Sequence, residues 1–160
     1  MRPTTLDHID RRLVELLRTN ARLSYAELAR QVGLSAPAVH ERVGKLETAG
    51  VIRAYRADVE PEVIGLGVTA LIGVVQASGT ETEDVVDALR ELPEIESCYF
   101  LAGDESFLLK VRVGAMGELE QLIARLNRTA GVASTRTTVA LSTKWEGRPQ
   151  PLPNSEVDGK

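Results

Sequence analysis

The sequence predicts an α+β chain of two units, three helices followed by a β-α-β-β-α-β run. Three observations carry this expectation. Apolar residues recur at helical spacing as far as Leu46, and beyond Val68 short strand-like runs alternate with amphipathic stretches. Charge divides in the same place: residues 1–60 hold ten Lys/Arg and eight Asp/Glu, whereas residues 61–160 hold nine and fifteen. The net charge of −4 for the whole chain therefore hides a mildly basic first part and an acidic second part. An apolar fraction of 43% with 26% charged residues is ordinary for a globular protein. No apolar run approaches the ~18 residues of a membrane span. Arg2, Asp7, Asp10, Arg11 and Arg12 break up any signal-peptide pattern at the start, and the lone Cys98 has no disulfide partner within the chain. Together these features predict a cytoplasmic location.

The first helix is read from LDHIDRRLVELLRTN, where Leu6, Ile9, Leu13, Leu16 and Leu17 share one face and the helix ends near Asn20. SYAE opens the second: Ser24 as N-cap with Glu27 three residues later is a capping box. Leu28 and Val32 turn inward, and Gly33 supplies the left-handed residue that stops the helix. Leu34 plugs the turn, Ser35 caps the third helix, and Pro37 is tolerated in its first turn. Val39, Val43 and Leu46 form the buried stripe of that helix. Ala29 stands where two helices approach closely, and the short Gly33–Ser35 turn forces a steep crossing. This spacing is that of a helix-turn-helix, and the partner it implies is double-stranded DNA.

With the stripe facing inward, 100° per residue turns Pro37 and Glu41 outward, with Ala38 and Lys45 along one edge and His40 along the other. Ser35, Pro37, Ala38, His40 and Glu41 are thus the candidates nearest the bases. Glu41 suits a cytosine amino group and Ala38 a thymine methyl, while Lys45 is placed for phosphate. Arg42 has two readings, a phosphate contact or a salt bridge that braces the fold. Ser24, Tyr25 and Arg53 complete the candidate DNA-binding set. His40 is not read as a metal ligand, since the only other histidine is His8. After Gly50, VIRAYRADV alternates loosely and reads as a strand or wing, which makes the unit a winged helix-turn-helix. Arg53 and Arg56 either touch the DNA backbone or simply solubilise the strand.

EPEVIGLG breaks the chain, and VTALIGVVQ follows as a continuous apolar strand. Thr82–Leu92 is amphipathic with Val85, Val86 and Leu89 inward; IESCYFLA and SFLLKVRV are strands joined at Gly103, Asp104 and Glu105. MGELEQLIARLNRTAG buries Leu119, Leu122, Ile123 and Leu126, and STRTTVALS is the last strand. The order is ferredoxin-like. Such a sheet carries both helices on one face, and the bare face, expected to be apolar, is most simply covered by a second copy. Cys98 reads as a core residue rather than a redox switch. The domain plan is a helix-turn-helix over 1–52, a linker strand over 53–66, the ferredoxin-like unit over 67–143 and a flexible tail over 144–160.

From LDHIDRRL to about Lys144, and most specifically in RLSYAELARQVGLSAPAVHERVGKLETAGVI, the chain resembles the Lrp/AsnC (feast/famine) family of transcriptional regulators. The resemblance implies a RAM-type second domain that pairs sheet to sheet into a homodimer, dimers that assemble into octamers, and a small-molecule effector, an amino acid, held between dimers. AGDESFLLKVRV resembles the family's signature hairpin. Carried over, the effector candidates are Gly103, Asp104, Glu105, Ser106 and Phe107, with Thr137, Thr138 and Ala140 opposite. The chemistry suits the role: a glycine turn offers N–H groups to a carboxylate, and a carboxylate or hydroxyl takes an ammonium. Relatives often carry aspartate at Ser106 and tyrosine at Phe107. A serine hydroxyl does not neutralise an ammonium, which leaves that task to Glu105 or Asp104, or the site to another effector. The hairpin also admits a plain oligomer-contact reading.

Two further classes stand beside a ligand-responsive regulator. One is an architectural DNA-binding oligomer without a metabolite effector. The other is an enzyme, for which the sequence offers no nucleophile–histidine–acid set, no metal-ligand cluster and no phosphate-binding glycine loop. No catalytic residue, metal or cofactor is therefore assigned.

Overall fold

A computed structural model describes residues 6–152. Asp7 opens α1 (His8–Thr19) by accepting the Asp10 backbone N–H at 2.8 Å. Ser24 and Glu27 open α2 (Tyr25–Val32) with the full reciprocal box: the Glu27 N–H donates to Ser24 Oγ at 3.2 Å, and the Ser24 N–H to the Glu27 carboxylate at 2.8 Å. Replacing Ser24 with alanine is expected to remove about 1 kcal/mol of stability, measurable by urea denaturation; an unchanged midpoint would show that the cap is dispensable. Gly33, at φ 71°, closes α2 in the left-handed region. Ser35 caps α3 (Ala36–Thr48) by accepting the Ala38 N–H at 3.4 Å, with Pro37 in the first turn. Leu13, Leu28, Ala29, Val39 and Val43 make the core of this unit, with Leu34 and Ile52 packed against it. Each large side chain so buried contributes roughly 1.5–3 kcal/mol.

The predicted wing does not form. Residues 53–60 adopt neither strand nor helix, and 61–65 turn. A strand needs a neighbour to take its N–H and C=O groups, and the described part of this unit is helical. The linker strand expected over 53–66 is corrected for the same reason. The chain divides into compact units between Asp58 and Val59, inside that segment.

The second unit follows the predicted order: β1 (Val68–Gln76), α4 (Thr82–Arg90), β2 (Ile95–Phe100), β3 (Phe107–Val113), α5 (Met116–Leu126) and β4 (Val132–Val139). The strands lie β2-β3-β1-β4, all pairings antiparallel. Register sets the faces. Ala70, Ile72 and Val74 lie opposite Val111, Leu109 and Phe107, and all six are buried with Val85, Leu89, Leu119, Leu122 and Leu126 of the helices. The alternate residues line the open face. That face is mixed rather than apolar: half-exposed Leu71 and Leu108 adjoin Lys110, whose Nζ reaches Glu96 Oε1 at 2.6 Å, and Arg112, whose Nε reaches Glu96 Oε2 at 2.5 Å. Burial opposes ionisation of Glu96, but the hydrogen bonds from Lys110 and Arg112 outweigh it and hold the carboxyl below its ordinary range. Cys98 is exposed, contrary to the core expectation, because β2 is an edge strand; burial of part of its surface still raises the thiol's pKa. Among the described residues no helix is long and apolar enough to cross a membrane.

Candidate nucleic-acid interface and effector site

Ser35, Pro37, His40 and Glu41 stand exposed along α3, with Ala38 half-buried beside them. Tyr25, in the first turn of α2, meets the His40 ring edge-on at 4.8 Å, so two sequence candidates form one aromatic contact. Glu41 and Lys45 are joined: Nζ lies 2.6 Å from Oε1, one helical turn apart. That hydrogen bond, more than the bare charge, lowers the pKa of Glu41. A phosphate or a cytosine amino group must therefore compete with this exposed pair, which solvent screens and weakens. Ser24 is engaged in its capping box. Arg53 is exposed in the irregular segment after α3.

Of the two roles open to Arg42, the geometry shows the brace. Its Nη1 lies 2.7 Å from Asp7 Oδ2 and 2.8 Å from Asp10 Oδ1, tying α3 to the start of α1. The Asp10 hydrogen bond first, then that of Asp7, raises the pKa of Arg42. The Asp10 backbone N–H, and then Arg42, lowers that of Asp7.

Sequence reasoning missed Tyr55. Its Oη donates to Glu47 Oε1 at 2.8 Å, pinning the irregular segment to the last turn of α3. Burial first and the Glu47 carboxylate second push the phenol up to about 12. Alternation and charge, the signals that VIRAYRADV offers, report strands and solvated or phosphate-facing cations, not side-chain ties.

In the second unit the predicted effector residues separate. Gly103 and Asp104 are exposed in the turn between β2 and β3. Glu105 folds back over the open face: a Cβ at Gly73 would lie 2.3 Å from its Cδ, and one oxygen sits 3.4 Å from Arg136 Nη1. Gly73 pairs with Arg136, and Leu71 with Thr138, so Glu105, Arg136 and Thr138 share this face. The lone glycine in VTALIGVVQ was the available signal for the close approach. Ser106 is wired into the sheet. Its Oγ accepts the Gln76 N–H at 3.1 Å, where the β1–β4 register shifts, and its own N–H donates to the Val74 carbonyl at 2.8 Å.

Two candidates are corrected. Phe107 is 0% exposed on the helix side of β3, its ring 5.4 Å from that of Phe100, so its side chain is core and not ligand surface. Thr137 pairs with buried Ile72 and lines a groove with Met116, Leu119 and Ile123, on the opposite face from Thr138. Strand alternation forbids both threonines from lining one cleft. Ala140 follows β4, and its N–H donates to the Thr69 carbonyl at 2.9 Å.

A helical unit presenting the polar edge of α3, followed by an open-faced β-α-β-β-α-β unit with an acidic hairpin, defines a two-part DNA-binding regulator with a small-molecule module. The particulars agree. Residues 6–47 match the AsnC-type helix-turn-helix domain and residues 68–150 the Lrp/AsnC ligand binding domain. The chain is 40% identical over 143 residues to the HTH-type transcriptional regulator LrpA of Mycobacterium tuberculosis, covering 89% of this chain and 95% of that one. It is 34% identical over 137 residues to the regulatory protein AsnC of Escherichia coli, covering 85% and 90%. Among solved structures, a feast or famine regulatory protein from M. tuberculosis complexed with L-methionine superposes with TM-score 0.86 at 39% identity, over 91% of this chain and 99% of that one. A transcriptional regulator from Neisseria meningitidis, also in an L-methionine complex, gives 0.84 at 30%, over 92% and 97%. The chain belongs to the Lrp/AsnC family: it is a transcriptional regulator and not an enzyme.

Proposed function

We propose that the chain reads double-stranded DNA through the Ser35–Lys45 edge of α3 and Tyr25, and that an amino acid bound at the β2–β3 turn modulates its assembly or its DNA affinity. The observation that carries the effector reading is the Glu105 carboxylate held over Gly73 beside Arg136. An amino acid brings one cation and one anion, and this corner offers a partner for each: Glu105 and Asp104 for the ammonium, Arg136 and the N–H groups of the Gly103 turn for the carboxylate. The two relatives bound to L-methionine support the class of ligand. Glu105 supplies the carboxylate that Ser106 lacks.

The open sheet face, with Leu71 at 41% exposure among paired charges, suits a second copy, and dimers so formed assemble further into octamers. Two α3 helices of a dimer then read half-sites about 34–36 Å apart. An effector that prefers one dimer–dimer arrangement shifts that population, and with it the spacing of the helices. The protein acts in the cytoplasm, where its DNA is.

A thermal-shift screen against the twenty amino acids tests the proposal. A ligand at 100 times its Kd adds about 2.7 kcal/mol, or several degrees in a chain of this size. A hit that is lost in Glu105→Gln and changes sedimentation or DNA affinity is the expected result. No shift with any amino acid would sink the effector reading and leave an architectural DNA-binding oligomer.

A further inference from the structure

The backbone returns to α3 through the Val51 and Ile52 N–H groups, both donating to the Leu46 carbonyl, and from Arg53 to Glu60 it has no regular structure. This stretch carries two exposed cations, Arg53 and Arg56, and between them stands Tyr55. Tyr55 is 47% exposed, yet its hydroxyl is held by Glu47 in the last turn of α3 at 2.8 Å. Glu47 stands on α3, the helix that also carries the exposed His40 and Glu41. Arg53 is two residues from this anchor and Arg56 one, so at most about 7 Å of extended chain separates either Cα from the pinned residue.

We infer that Tyr55 is a positioning residue, a latch to Glu47 that holds the segment after α3 against the helical unit so that Arg53 and Arg56 clamp DNA phosphates beside the recognition helix. It does for this segment what strand pairing does for a wing: it limits how far the two cations swing, and so the entropy lost when they meet the DNA backbone. The inference rests on the DNA-binding reading of α2 and α3.

The test uses the full-length protein and a fluorescently labelled duplex of mixed sequence, since phosphate contacts are blind to sequence. Anisotropy titrations across a salt series give affinity and slope. Tyr55→Phe keeps the ring, and its thermal melt is expected to match wild type. Its affinity is expected to fall several-fold, and its log–log salt slope by about 0.9 for each phosphate contact given up. In an Arg53→Ala, Arg56→Ala background the same substitution is expected to change nothing further. Glu47→Ala separates the latch from plain electrostatics: removing an acidic charge alone tightens DNA binding, whereas loss of the latch weakens it. Unchanged affinity and slope in Tyr55→Phe, or an equal loss without the arginines, overturns the latch while DNA binding stands. A wild-type protein with no salt-dependent affinity for the duplex overturns the DNA-binding reading, and the latch with it.

Discussion

Alanine at Phe107 is expected to destabilise the second unit by about 3–5 kcal/mol, the largest single effect in the chain. Phe107 is among the largest fully buried side chains, and it lies in register with Val74 between the sheet and its helices. Truncation removes the transfer free energy of a phenyl ring and leaves a cavity that the sheet backbone does not close. Hydrogen exchange followed by peptide is the suitable measurement, because protection in β1, β3 and α4 is expected to drop while α1–α3 stay as they were. The resemblance of AGDESFLLKVRV to a ligand hairpin points to the opposite result: a stable variant that has lost only its response to an effector. That pattern would return Phe107 to the ligand surface.

The disagreement over Phe107 shows what the sequence carries and what it does not. Ser24, Gly33 and Ser35 are legible because caps are local: each hydrogen bond closes within four residues, so residue type and spacing suffice. The β-α-β-β-α-β order is legible too, because short apolar or alternating runs and stretches of period 3.6 succeed one another from Val68 to Val139. A side chain's face is a different matter. Phe107 and Thr137 share the helix side and Thr138 lies on the open side, which follows from strand register, whereas Glu105 reaches the open side from the turn before β3. Alternation along STRTTVALS already separated Thr137 from Thr138, but a site carried over as a set of neighbours in sequence ignores that parity.

Non-local ties were the least visible. Arg42 meets Asp7 and Asp10 from more than thirty positions away, and Glu105 covers Gly73 across a strand pair. Nothing in the composition around Arg42 distinguishes a cation for phosphate from a cation for two carboxylates; only the packing of α1 against α3 decides. The wing failed for a related reason. VIRAYRADV has strand-forming residues, but strand propensity expresses fit to a neighbouring strand, and the helical unit offers none. What holds that segment instead is Ile52 packed on the helical core, the Val51 and Ile52 N–H groups on the Leu46 carbonyl, and the phenol–carboxylate hydrogen bond of Tyr55.

Leu13→Ala is expected to be the most damaging change in the DNA-binding unit, at about 2–5 kcal/mol. Leu13 is 0% exposed at the centre of α1 and packs in the cluster of Leu28, Val39 and Val43, so all three helices of the unit meet around it. At roughly 0.05–0.15 kcal/mol per residue, a unit of some fifty residues has only about 3–8 kcal/mol to lose. The substitution therefore takes most of that margin, and the position of α3 depends on it. Duplex affinity is expected to collapse as α1–α3 lose exchange protection, while β1–β4 and any amino-acid response survive, since the second core is built from its own residues. Full duplex affinity with α1–α3 still protected would mean that the site collapses around the smaller side chain. The core would then tolerate the loss, and the Asp7–Arg42–Asp10 brace would carry more of the unit's stability than exposed ion pairs ordinarily do.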